Sequence, residues 1–131
     1  MVLIDTIYIH NSGGKILLNI LIKKIVSIGQ ESFFFLFDNR LDPKIYKELK
    51  LENFRILKAS EQSRKSFYKK NKKSFNNYFC FSNVPPPIQI EKPVIIYFHN
   101  DIILDFTKSN IGLIQKFKFR LKKIYINVKN Y

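Results

Sequence analysis

The chain has 131 residues, 46% of them hydrophobic, and carries 23 basic against 10 acidic side chains, a net charge of +13. That length holds a single domain, residues 1–131, with one moderate core, and it excludes two full nucleotide-binding domains. The apolar fraction excludes a disordered tail, and a single cysteine, Cys80, excludes an internal disulfide framework and a cysteine-ligated zinc site.

The first element expected is a strand, Leu3 to His10, closed by the turn Asn11-Ser12-Gly13-Gly14. Lys15 to Ile28 reads as a helix with Gly29 just past its end. It is apolar on most of its circumference, which predicts burial against a sheet. Its apolar run from Ile16 to Val26 is broken by Asn19, Lys23 and Lys24, so it does not predict a membrane span. Glu31 to Asp38 contains five apolar residues in a row, the pattern of a strand covered on both faces. Arg40 to Pro43 is a turn leading into a short helix, Pro43 to Leu49, with proline near its first position. Phe54 to Lys58 is a strand, and Ser60 caps a helix to about Lys73. Tyr78 to Ser82 is a strand stopped by Asn83-Val84-Pro85-Pro86-Pro87, and Val94 to Phe98 is a fifth strand. A last helix is expected from Ser109 onward. Strands alternating with helices predict an α/β fold, a Rossmann-like and mostly parallel sheet with flanking helices.

The charge is unevenly placed. Lysine outnumbers arginine 19 to 4, alongside 20 isoleucines, 12 asparagines and one alanine, a skew that AT-rich coding alone would raise. Yet Ser60–Phe75 contributes +5 and Ser109–Tyr131 contributes +6, while the remainder is nearly neutral. Such clustering aims a basic surface at an anionic partner. In the last helix, Ile114, Phe117, Leu121, Ile124 and Val128 form a core stripe. Phe119 and Ile126 lie opposite it, among Lys116, Lys122 and Lys123. That face reads either as membrane-facing or as a solvated basic surface.

Open parallel sheets bind ligands beyond the carboxyl ends of their strands. Three loops of this chain are expected there. His10-Asn11-Ser12-Gly13-Gly14-Lys15 combines glycines that admit close approach with helix N–H groups that favour an anion. It matches neither G-x-G-x-x-G nor a Walker motif, and a plain strand-to-helix turn remains open. Asn83–Pro87 reads as a binding loop or a rigid spacer. His99-Asn100-Asp101 places polar groups, one of them an imidazole, just after an apolar strand, where His99 is either functional or a structural loop histidine. Cys80 reads as an inert core thiol, and no carboxylate pair or nucleophile motif accompanies these loops.

The ordered set of strand, His-Asn-Ser-Gly-Gly-Lys, long helix, Ser82-Asn83-Val84-Pro85-Pro86, then Pro93 to Asn100 and a basic helix resembles a known family. It is similar to the N-terminal domain of bacterial GT-B glycosyltransferases of the family 4 (group 1) type, enzymes of cell-envelope polysaccharide synthesis, including lipopolysaccharide. The resemblance spans essentially the whole chain. It implies the acceptor-binding half of a two-domain enzyme that transfers a sugar from a nucleoside-diphosphate sugar to a glycan or lipid-linked acceptor. It implies a donor-phosphate loop at Gly13, Gly14 and Lys15, and a catalytic position at His99 near the reacting sugar. It places Asn11, Ser12, Asn83, Pro85, Asn100 and Asp101 on the acceptor side. It implies no metal, no cofactor beyond the nucleotide sugar as co-substrate, no nucleic acid, and a cytoplasmic location peripheral to an anionic inner membrane. The sequence ends at Tyr131 before a donor-binding domain, so the expectation is an incomplete sheet, a donor domain supplied in cis or trans, and no transfer by this chain alone. Two non-catalytic readings compete with it, a basic nucleic-acid-binding module and a membrane-surface domain.

Overall fold

A computed structural model describes residues 1–98 of the chain. Five strands form one sheet: β1 (Val2–Asp5), β2 (Phe33–Asp38), β3 (Phe54–Leu57), β4 (Asn77–Cys80) and β5 (Val94–Ile96). Their spatial order is β3-β2-β1-β4-β5, and every neighbouring pair is parallel. Helix α1 (Ser12–Ile28) joins β1 to β2, and helix α2 (Glu61–Asn71) carries the chain from β3 back across the sheet to β4. The class is therefore an α/β fold compatible with a Rossmann-like domain, as the alternation of strands and helices predicts.

The core lies on both faces of the sheet, because alternate residues of one strand point to opposite sides. Ile4, Phe35 and Phe37 pack with Leu18, Ile22 and Ile25 of α1 and with Leu41 and Leu49. Leu3, Leu36 and Tyr78 pack on the other side with Phe67 and Tyr68 of α2 and with Phe75. The phenylalanine run of β2 thus serves two cores at once, which explains why its sequence does not alternate with polar residues.

Several boundaries differ from the sequence reading. β1 stops at Asp5, not His10. Its carboxylate accepts the Ile7 N–H at 3.1 Å, and Thr6 turns its hydroxyl onto the Leu36 carbonyl at 2.6 Å, so the chain leaves the ladder. The helix expected over Pro43–Leu49 is a single 3-10 turn, Pro43–Ile45. Tyr46 N–H reaches the Pro43 carbonyl at 3.3 Å and Leu49 N–H reaches the Tyr46 carbonyl at 3.1 Å, bonds of three-residue span that wind tighter than an α-helix. β2, β3 and β5 begin or end one or two residues inside their predicted limits, and β4 begins one residue before its predicted start and ends two before its predicted end.

The strongest departure is α1. Only Leu18, Ile22 and Ile25 are fully covered, whereas Ile16, Leu17, Ile20 and Ile28 are exposed. A lone helix on a sheet buries one stripe, and the β2–β3 connection supplies short turns rather than a second helix beside it. No helix among the described residues is long and apolar enough to cross a membrane.

Candidate functional site at the β1–β4 switch point

In this strand order the connections leave β1 and β4 on opposite faces, and the loops that follow them part at the carboxyl edge of the sheet. That parting is where open α/β sheets form a ligand crevice. One wall is the segment from Thr6 to Asn11 and the first turn of α1. The other is the segment from Phe81 to Pro87.

The first turn of α1 begins three residues earlier than the sequence suggests. Gly13 and Gly14 lie inside it, and its first helical bond runs from Lys15 N–H to the Asn11 carbonyl at 3.2 Å. Asn11 occupies the capping position with extended backbone, but its side chain makes no capping bond. The N–H groups that open a helix have no partner within it, so they point outward as donors. The two glycines differ in their surroundings. A Cβ on Gly13 would meet nothing within 4 Å, whereas one on Gly14 would stand 3.1 Å from Cδ1 of Ile9. A side chain at Gly14 would therefore press on Ile9, which must give by a few tenths of an ångström, whereas one at Gly13 would enter open space. Gly13→Ala is expected to raise stability by about 0.5–1 kcal/mol through helix propensity. Gly14→Ala should give no such gain, because Ile9 must shift. Urea midpoints of the two variants check the difference.

Among the described residues, three that are not glycine have positive φ: Tyr8 (82°), Ser12 (51°) and Asn83 (59°). Tyr8 and Asn83 lie in the loops after β1 and β4, and Ser12 opens α1. Such conformations cost of order 1–3 kcal/mol each and cluster where surrounding contacts over-determine them. For Tyr8 these contacts are explicit. Its N–H donates to Oδ2 of Asp38 at 3.1 Å, and its hydroxyl reaches Glu61 at 3.3 Å.

Two buried carboxylates sit beneath the loops. Asp38, at the end of β2, accepts a forked pair of bonds from Arg40 at 2.9 and 2.7 Å and also the Arg40 N–H. Burial pushes its pKa up, but the Arg40 hydrogen bonds and charge outweigh this and hold it below the usual carboxylate range. A carboxyl held low in the fold contributes stability that is complete above about pH 3.9. That contribution is lost as pH falls through its folded value. The urea midpoint is therefore expected to fall between pH 5 and pH 3, and Asp38→Asn should narrow that difference.

Asp5, at the end of β1, is enclosed with Arg64. Nε and Nη2 of Arg64 donate to Oδ2 of Asp5 at 3.1 and 2.8 Å, and the Tyr68 hydroxyl donates to the same oxygen at 2.8 Å. Arg64 and Asp5 are both fully buried. Burial works against the charge on Arg64, but the Asp5 carboxylate beside it prevails and holds the guanidinium pKa well above its ordinary value. Burial, with Asp5 next to it, likewise pushes the Tyr68 hydroxyl well up, so it is a donor at any working pH.

Two polar side-chain atoms at this edge are buried and lack a hydrogen-bond partner among the described residues: Nδ1 of His10 and Oγ of Ser82. His10 Nδ1 stands 4.0 Å from Asp38 Oδ2, beyond hydrogen-bond reach. Ser82 follows β4 and is 6% exposed. Orphaned polar atoms cost free energy unless a ligand or water completes them.

Asn11, Ser12, Gly13, Gly14 and Lys15 follow the carboxyl end of β1, and Asn83 and Pro85 follow that of the neighbouring parallel strand β4. Lys15 leans toward Asp42, 4.0 Å away, in an exposed pair that adds little. His99, Asn100 and Asp101, and the basic face with Lys116, Phe119, Lys122, Lys123 and Ile126, lie outside the described residues. Cys80 is buried, in keeping with an inert core thiol. Asp5, Asp38, Arg64 and Tyr68 carry much of the site's polar framework, yet the sequence reading assigns none of them to the site, and it names Ser82 only within the Ser82–Pro86 motif. Their signal was present: an acid closes each of two apolar strands, and one arginine stands alone in the lysine-rich α2. Elsewhere, a basic hollow of about 350 Å³ lined by Lys72, Lys73, Gln89, Ile90, Glu91 and Lys92 lies at the opposite edge, before β4 and β5. No group of three or more metal-ligating side chains occurs among the described residues.

Set against protein-family models, curated proteins and solved structures, the chain matches none.

Proposed function

We propose that this chain is the acceptor-side half of a GT-B glycosyltransferase, transferring a sugar from a nucleoside-diphosphate sugar to a glycan or lipid-linked acceptor. The observation that carries the reading is the first turn of α1, which follows β1 at the β1–β4 switch point and has no side-chain cap. Donors at the N-terminus of a helix suit a diphosphate, and they suit it better as negative charge grows on the leaving group. The two orphaned atoms, His10 Nδ1 and Ser82 Oγ, offer polar partners of the kind a sugar hydroxyl or phosphate oxygen needs. In this reading Gly13 and Gly14 admit the diphosphate, and Asn11, Ser12, Asn83 and Pro85 line the acceptor side. The resemblance adds His99 as the group near the reacting sugar, with Asn100 and Asp101 beside it. A donor-binding domain, in cis or in trans, supplies the opposite wall. Holding two substrates in register requires both walls. The basic C-terminal sequence with Phe119 and Ile126 would meet an anionic membrane surface, where lipid-linked acceptors reside.

The test is transfer. The chain joined to a donor-binding domain should move labelled sugar from uridine- or guanosine-diphosphate sugars into a glycan or solvent-extractable lipid, and His99→Ala should abolish most of that transfer. Full activity in His99→Ala would remove the assigned role of the histidine. A mobility shift on nucleic acid that persists with micromolar affinity at 150 mM salt would favour the competing basic-module reading.

A further inference from the structure

We infer that Arg64 is a positioning residue that sets the separation of the two loops walling the crevice. Arg64 belongs to α2, and its side chain is fully buried beneath both loops. Asp5 fixes the guanidinium from β1 through two hydrogen bonds. From that anchored plane, Nη2 reaches the Pro85 carbonyl of the second loop at 3.2 Å. Its central carbon stands 5.7 Å from the ring centre of Tyr8 in the first loop, within cation–π range. Nη1 holds Glu61 at 3.0 Å, and Glu61 in turn accepts the Tyr8 hydroxyl at 3.3 Å. One rigid group therefore touches both walls and the strand between them.

On the second wall, Pro85, Pro86 and Pro87 carry no backbone N–H and can bond along the main chain only through their carbonyls, and Arg64 takes that of Pro85. The flat, five-donor fork of arginine can serve Asp5, Glu61 and Pro85 at once, whereas the single head of lysine cannot. Tyr8 is also the residue with φ of 82°, a strained conformation that needs outside contacts to persist. The consequence for function rests on the crevice being the ligand site; the loop-holding role does not.

The experiment uses the ligand-free chain and then a named probe. Arg64→Lys keeps a cation opposite Asp5 and removes the fork. Arg64→Gln combined with Asp5→Asn removes both charges, so no unpaired ion is buried if the first variant fails to fold. Amide exchange at Tyr8, Ile9, Asn83 and Val84 is compared with that at Leu36 and Phe37 in the sheet. The expected result is exchange at the four loop amides accelerated at least tenfold more than in the sheet. Equal acceleration everywhere, or none, would overturn the inference and leave Arg64 a plain stabilising residue. Titration with uridine diphosphate then separates the two ideas. Weaker binding in the variants extends the role to ligand geometry. No binding to the unmodified chain counts against the crevice reading and leaves the exchange result standing.

Discussion

Arg64→Met is expected to destabilise the chain by about 3–5 kcal/mol, the usual result of removing one partner of a buried ion pair. The loss is large because Asp5, fully buried, would lose its cationic partner and keep only the Tyr68 hydroxyl and the Ile7 N–H as donors among the described residues. A domain of this size holds about 5–15 kcal/mol in total, so the transition should move far toward lower urea or vanish. Arg64→Met joined to Asp5→Leu should recover much of that loss, since burying two matched apolar groups is often neutral. A double variant as unstable as the sum of the two single ones would show that the pair is not coupled. A single variant costing under 1 kcal/mol would show that the site is wetter than the geometry indicates.

Gly13→Asp is expected to act on binding and not on folding. The added side chain enters open space, so no packing is disturbed. A carboxylate in the first turn of a helix is favourable by about 0.3–1 kcal/mol, and stability should hold or rise slightly. The same charge opposes an anionic ligand. Two unit charges 4 Å apart near a protein surface interact by roughly 4 kcal/mol, so a loss of about a hundredfold in sugar transfer is a moderate expectation. Gly13→Ala and Gly13→Asn keep the shape without the charge and should retain most of the activity. If Gly13→Asp transfers sugar as fast as Gly13→Ala, the diphosphate does not sit at this turn.

The fold class was legible in the sequence where one periodicity dominated. The run Phe33–Phe37 could only be a strand covered on both sides, and Ser60 announced α2 by the type of its side chain. It does cap that helix, accepting the Ser63 N–H at 3.2 Å. Ends of elements were less legible where side chains compete with the ladder. Leu3–His10 is β-rich throughout, yet the strand ends early, where the Asp5 side chain accepts the nearby Ile7 N–H and Thr6 turns its hydroxyl onto the Leu36 carbonyl of β2. The exposed apolar face of α1 could not be read either, because burial depends on which elements lie beside a helix. The two loops of the site were visible as punctuation, by glycine and by proline. The framework beneath them was not, because Asp5 and Arg64 are 59 residues apart and only the fold brings them together.

The central claim is that the first turn of α1 receives a diphosphate, and amide spectra of the chain titrated with inorganic pyrophosphate and with uridine diphosphate test it most directly. Saturable shifts centred on the Ser12, Gly13 and Gly14 amides, weakened in Gly13→Asp and unchanged in Gly13→Ala, are the predicted result. Shifts confined to residues around Lys72, Lys73 and Lys92, with the α1 turn unmoved at saturating ligand, would contradict it.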